Sequence, residues 1–378
     1  MKQYLYRKLN ATMPLGRIMD IPFKLHWSIF PILAAIPIIS IFKKSSWQET
    51  TLLFTLLVFV LISVLLHELG HAAAAKLQGV KTHDILLSMI GGVARLERIP
   101  EEPIQEFKIA IAGPLVNLLI FFLLGSGFII FYALGFIPSI NSLDYLLNVE
   151  DFIYQNQLSY LTLFVYVLAY SNFILFLFNL LPVFPMDGGR ILRAFLASRM
   201  SRRKATSIAA NIGKVLSITL VIFGLIYFRP IWSIIGLFVF MMADMENRFE
   251  IQNHKFKNTF ASDMLHQNFE MVSHLMPIKT LVELYFDRNV ELFLVKDGQQ
   301  RIKGIITKEI LESAMREKAF EHNINIYIST RYAIVNKNDN LLEVQEALVK
   351  KDLPVALVMD FGELQGVIDR ETFDKHRA

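Results

Sequence analysis

Cysteine is absent from the 378 residues. Its absence excludes disulfides, thiolate metal sites and cysteine nucleophiles, and leaves the redox compartment undetermined. Charge is sparse as well: 19% of residues are Asp, Glu, Lys or Arg, and the formal net charge is +4. So small an excess makes no basic surface for nucleic acid, and no direct nucleic-acid partner is expected. Tryptophan occurs only as Trp27, Trp47 and Trp232, and residues 136–157 contain no Lys or Arg at all. What fills the chain instead is apolar. Hydrophobic residues make up 54%, and the mean hydropathy of +0.43 is too high for an ordinary soluble domain.

A helix that crosses a bilayer needs roughly 20 apolar residues. Six stretches qualify or come close: 25–42, 51–77, 106–135, 158–181, 207–228 and the shorter 231–246. All three tryptophans fall at the ends of these stretches, where amphipathic rings prefer to sit. The fold class expected is therefore a polytopic α-helical membrane protein with about six transmembrane helices. The amino terminus, "MKQYLYRKLN", is basic, and no small-residue cleavage site closes the apolar run that begins near Leu25. It reads as an uncleaved first span. Lys and Arg are concentrated before the first span, after the second and after the fourth. Lys43 and Lys44 run against this pattern but are outweighed. By the positive-inside rule both termini are cytoplasmic in a protein of the cell membrane. His26 reads as an interfacial residue, and Lys214, within the fifth span, is expected to snorkel to the surface.

After Met245 the composition turns polar, dividing the chain into a membrane domain, 1–248, and a soluble tail, 249–378. The tail repeats itself. Lys279–Leu311 can be laid over Asp339–Phe373 with a period of about 60 residues. Each copy reads as a helix, a short strand (Leu292–Val295; Val355–Val358), a polar turn, a second strand opened by Gly304 or Gly366, and a further helix. One copy is too small to bury much, so the two are expected to pack as one cytoplasmic domain.

The second span ends in "LLHELGHAAAA", Leu65 to Ala75. His67 and His71 are four apart, so on a helix they share a face and can share one metal ion. Glu68 stands one step round and can reach a water without ligating the metal, which is the logic of the zinc hydrolase motif H-E-x-x-H. Two histidines hydrogen-bonded inside a helix bundle would give the same pentapeptide. Location weighs against that. Each charged side chain at mid-helix in a bilayer costs on the order of 2.5–3.5 kcal/mol. A zinc ion bound with roughly 10–16 kcal/mol can offset several of them. A catalytic zinc usually takes three protein ligands. "NLLPVFPMDGGR", Asn179 to Arg190, offers Asp187 as the third. Pro182 and Pro185 break the end of the fourth span, and Gly188–Gly189 free the backbone further. Non-helical backbone at membrane depth is tolerated where it is buried in protein or lines a cavity. Two positive charges on zinc against Asp187 and Glu68 leave the cluster close to neutral. Ala72–Ala75 are small residues that let neighbouring helices approach.

"HELGH", "AGPLVN" (Ala112–Asn117) and "NLLPVFPMDGG" follow one another in the order found in site-2 proteases, the intramembrane zinc metalloproteases, which the chain resembles over about residues 15–245. No PDZ-sized insertion separates the spans. The tail resembles a tandem CBS domain, carried by a subgroup that includes the sporulation-type enzymes. The resemblance implies zinc on His67, His71 and Asp187, Glu68 as general base, and Asn117 near the site, where it steadies substrate or an oxyanion; interhelical glue is an equal reading for that Asn. It implies regulated intramembrane proteolysis of a membrane-anchored substrate of the transcription-factor or sigma-factor-precursor type. It also implies a membrane-dipping strand within "DILLSMIGGVARLE" (Asp84–Glu97), able to pair with an unwound substrate. A CBS-like tail can hold an adenine nucleotide, form a homodimer or dock substrate. The usual Thr/Ser followed three residues later by Asp is broken here, with Ile310 after Thr307 and the reversed order Asp369, Thr372. Two other readings stay open: a CBS-regulated membrane ion transporter, and a proteolytically inactive relative that binds clients.

Overall fold

A computed structural model describes residues 12–377, apart from 90, 99, 134–159, 289, 291, 318, 319 and 321. The lysine-free loop expected over 136–157 lies outside the described residues. The chain divides into two compact units, Met1–Asn247 and Arg248–Ala378.

The first unit opens with strands β1 (Thr12–Ile18) and β2 (Ile21–His26), followed by helices α1 (Ile29–Lys43) and α2 (Trp47–Leu77). Strands β3 (Thr82–Ser88) and β4 (Gly91–Leu96) come next, then helices α3 (Pro103–Ala133), α4 (Tyr160–Asn179), α5 (Asp187–Ala197), α6 (Arg202–Ile226) and α7 (Pro230–Lys257), the last continuing past Asn247 into the second unit. Six of the helices cover the six apolar stretches. Four of them, α2, α3, α4 and α6, are long and apolar enough to cross a membrane by length and composition, whereas α1 is shorter. The first span begins later than expected. Leu25 and His26 belong to β2, and His26 shares a hydrogen bond with Ser28 at 2.8 Å. The alternation of "IPFKLH" buries Ile21 and Phe23 with Ile85 of the sheet and Ala72 of α2, a period of two that an apolar-run count overlooks. Helix α2 is started by a capping box. Glu49 N–H donates to Ser46 Oγ at 3.2 Å and Ser46 N–H donates to Glu49 Oε2 at 3.0 Å.

The four strands form one sheet in the order β1-β2-β3-β4, parallel between β2 and β3 and antiparallel elsewhere. β4 is therefore an edge. Helix faces carry large exposed apolar residues, such as Phe122 at 60% and Leu123 at 63%, which lipid can cover. Helices meet instead through small residues: Ala72, Ala75, Ala205 and Ala209 are fully buried. Lys214 does not reach for the surface alone; its Nζ donates to Asp244 Oδ1 at 2.5 Å.

The second unit repeats one pattern. β5 (Glu270–Ser273), α8 (Ile278–Arg288), β6 (Leu292–Lys296), β7 (Ile302–Thr307) and α9 (Lys308–Arg316) make the first copy. β8 (Ala333–Asn336), α10 (Leu341–Gln345, continued as a π turn to Lys350), β9 (Val355–Asp360), β10 (Glu363–Asp369) and α11 (Arg370–Arg377) make the second. Each sheet has a parallel pair and an antiparallel pair, in orders β5-β6-β7 and β8-β9-β10. The strand that opens each copy, four residues long, lies outside the stretches that align by sequence. A shared core of Leu292, Leu294 and Ile305 with Val355, Leu357 and Val367 joins the copies. Gly304 and Gly366 sit inside β7 and β10 rather than opening them. A Cβ on Gly304 would lie 2.6 Å from Ser329 O, and one on Gly366 3.0 Å from His266 O. In both copies a connecting chain crosses the strand at the glycine.

Candidate metal centre

Helix α2 brings His67, Glu68 and His71 to one buried face, exposed by only 6%, 8% and 6%. Asp187, the first residue of α5, comes to them from 116 residues beyond His71. His67 Nε2, His71 Nε2 and Asp187 Oδ2 stand 3.1 Å from one another. Tetrahedral donors about 2.0–2.1 Å from a zinc ion are themselves about 3.3 Å apart. The three atoms thus have the spacing of ligands on one ion.

Protons say the same. His71 Nδ1 lies 2.7 Å from the carbonyl of Ile109, which can only accept, so His71 Nδ1 donates. His67 Nδ1 donates to Asn117 Oδ1 at 3.0 Å. A neutral imidazole that donates from Nδ1 presents a lone pair at Nε2. With both rings neutral, two such lone pairs and a carboxylate oxygen face one point. A cation resolves that repulsion, and the outer bonds to Ile109 and Asn117 are of the kind that orient metal-binding imidazoles. The residues present fit zinc.

Glycines make the approach possible. A Cβ on Gly113 of "AGPLVN" would lie 2.3 Å from His71 Nε2 and 2.7 Å from His67 Nε2. Helix α3 can therefore pass the cage only with glycine there. The pair after Asp187 acts through space as well, not through backbone freedom. Both glycines are helical, and a Cβ on Gly188 would come within 2.4 Å of the Leu180 and Leu181 carbonyls, while one on Gly189 would lie 2.8 Å from Phe184 N. The broken segment after Asn179 thus folds against the first turn of α5 and aims Asp187 inward.

Glu68 does not join the cage. Its Oε2 accepts from Ala94 N–H of β4 at 2.9 Å. A Cβ on Gly92 would lie 2.5 Å from Glu68 Cγ. Gly92, Ala94 and Gly113 were not legible as site residues, although all three fall within segments that stood out for other reasons. Asn117 is 1% exposed, and its Nδ2 has no hydrogen-bond partner among the described residues. Of the sequence-derived site residues, the fold gathers His67, Glu68, His71, Asn117 and Asp187 in one place.

Three donors around one point with a glutamate alongside, set in a bundle of apolar helices, define a membrane metallohydrolase. The family model of peptidase family M50 matches residues 55–222. "Zinc metalloprotease MJ0392" of Methanocaldococcus jannaschii is 32% identical over 96% of this chain and 95% of its own. The chain belongs to peptidase family M50 and is a site-2-type zinc metalloprotease of the membrane. Among solved structures, the site-2 protease from Methanocaldococcus jannaschii shares 39% identity, covering 63% of this chain and 95% of that one, with a TM-score of 0.43. The CBS-domain containing protein ATU1752 from Agrobacterium tumefaciens aligns over 32% of this chain and 94% of its own, with 17% identity and a TM-score of 0.29.

Proposed function

We propose that the enzyme cuts membrane-anchored proteins at or near a transmembrane segment, in regulated intramembrane proteolysis, with His67, His71 and Asp187 holding zinc. The observation that carries this is the convergence of three lone pairs on one point, with both Nδ1 protons already committed elsewhere. Bound zinc supplies Lewis-acid chemistry: it polarises a carbonyl and lowers the pKa of water towards neutrality. Glu68 is the general base. It takes a proton from water and passes it to the leaving amine. Asn117 has two tasks in this reading. Oδ1 fixes the His67 ring, and Nδ2, which has no partner among the described residues, donates to the oxygen of the polarised carbonyl.

A substrate helix has satisfied its own backbone groups and must unwind before it is cut. The edge of β4 away from β3, which pairs with no strand among the described residues, supports strand addition as the way it is held. The Ala94 N–H points away from β3, towards Glu68, so Gly92 and Leu96, two residues either side, share that outward edge. The lysine and arginine distribution supports both termini being cytoplasmic; in that orientation β4 and the site lie in the cytoplasmic half, and product leaves on that side. The tail, in this reading, docks or regulates. Its cleft of about 840 Å³ is lined by Glu309, Glu312, Asp352, Asp369, Glu371 and Asp374 against Lys308, Arg331 and Arg370, a poor setting for phosphates. Asp369 stands in the reversed order with Thr372 and already accepts from Thr372 and His266, which disfavours a ribose contact there.

The test is Glu68→Gln in the full chain. The variant is expected to bind zinc as wild type does and to lose cleavage of co-expressed membrane-anchored proteins by at least about 10²-fold. Loss of zinc together with activity, or activity retained, overturns the assignment of Glu68.

A further inference from the structure

We propose that the cleft between β4 and α5 is a substrate subsite for an acidic side chain, and that Arg190 reads it. The inference rests on the reading that substrate pairs with the edge of β4.

The cleft has a volume of about 190 Å³, and its walls include Ala94, Leu96, Glu106, Ile109, Arg190 and Arg193. Three of these walls touch or adjoin the site directly. Ala94 holds Glu68, the Ile109 carbonyl holds His71, and Arg190 lies one helical turn after Asp187. A chain laid along β4 past Glu68 therefore runs into this cleft.

Its charge follows from the ion pairs. Arg193, 1% exposed, donates to Glu106 Oε1 at 2.9 and 2.5 Å and to Glu246 Oε1 at 2.5 Å. The other oxygen of Glu106 accepts from Arg202 at 2.7 Å. Both arginines and both glutamates are thus engaged in ion pairs. Arg190 stands outside this network. It is exposed and makes no hydrogen bond or ion pair among the described residues. The cleft thus carries one guanidinium outside the ion pairs, on a rigid helix, beside apolar walls and a strand edge. An anion held there gains a charge-assisted bond that a neutral or basic group cannot make.

The strand edge makes the anion a side chain of substrate. Along an extended chain, two residues span about 6.7 Å. Ala94 stands at Glu68 and Leu96 stands in the cleft. The residue read by Arg190 therefore lies about two positions from the cleaved bond, on the Leu96 side.

The experiment uses the full-length zinc enzyme in phosphatidylcholine vesicles with a set of single-span reporter proteins. In these, aspartate or lysine is walked one residue at a time through about six positions on each side of the cleaved bond. At one position, about two residues from the cut, wild type is expected to cleave the aspartate reporter about five- to tenfold faster than the lysine reporter. Arg190→Ala is expected to bring that ratio close to one, Arg190→Glu to invert it, and Arg190→Lys to keep the preference. Zinc content reports whether each variant has kept its site. A wild-type ratio near one at every position, or a preference that survives Arg190→Ala, overturns the subsite. An Arg190→Ala loss that is equal for all reporters points to a lipid phosphate or the fold and overturns it too. If wild type cuts no reporter at all, the protease reading fails first, and the subsite with it.

Discussion

At the scale of single residues, the candidate ligands announce themselves and the glycines that admit them do not. His67, Glu68 and His71 are legible because a helix repeats every 3.6 residues, so their spacing alone places them on neighbouring faces. Asp187 is legible because prolines and glycines surround it where a span ends. Gly113 is hidden because what it does is leave room, and the neighbour it leaves room for comes from another helix. It is also the sharpest place to test the cage. Gly113→Ala puts a methyl group within 2.3 Å of His71 Nε2. Overpacking of that kind cannot be absorbed by a rigid helix crossing. The variant is expected to insert in the membrane and retain less than about a tenth of wild-type zinc, measured by metal analysis of purified protein. Gly125→Ala, where a Cβ would meet nothing within 4 Å, is expected to bind zinc normally.

At the scale of elements, the sheet is what the apolar-run count missed. β1 and β2 carry too few apolar residues, in alternation, to register in a window built for transmembrane helices. Yet they form the far side of the sheet that presents β4. Asp84 ties the strands together. It accepts from Arg95 on β4 through both oxygens, at 2.5 Å each, and from Lys24 on β2 at 2.6 Å. Arg95 is next to Ala94, so this bracket fixes the strand edge beside Glu68. Asp84→Ala is expected to leave zinc content unchanged and to lower the cleavage rate by about 10- to 100-fold, the cost of a misplacement near 1 Å. Reporter cleavage measured beside metal content checks it, and a fall in both would show that Asp84 supports the cage rather than the edge.

At the scale of the whole molecule, the repeat in the tail is visible because both copies keep the same order of strand, turn, strand and helix, whereas the opening strand of each is too short to align. The tail has its own acid sensitivity. Burial alone would raise the Asp369 carboxyl, but the Thr372 amide and His266 outweigh it and hold the group below its ordinary value of 3.8. A carboxylate held low when folded adds stability above the unfolded value, and that stability is lost as pH falls through the folded one. Protease resistance of the tail in the full chain is therefore expected to fall below about pH 4. In Asp369→Asn it is expected to start lower and to vary less over the same range, as limited proteolysis across a pH series would record.

The convergence of lone pairs has a consequence for how the enzyme is made. Segments separated by 116 residues are brought together at atoms that repel one another. With both imidazoles neutral, helix packing alone leaves that junction unfavourable, and a captured cation turns it into an attraction. Such an ion would then be as much a fastener of the bundle as a reagent within it.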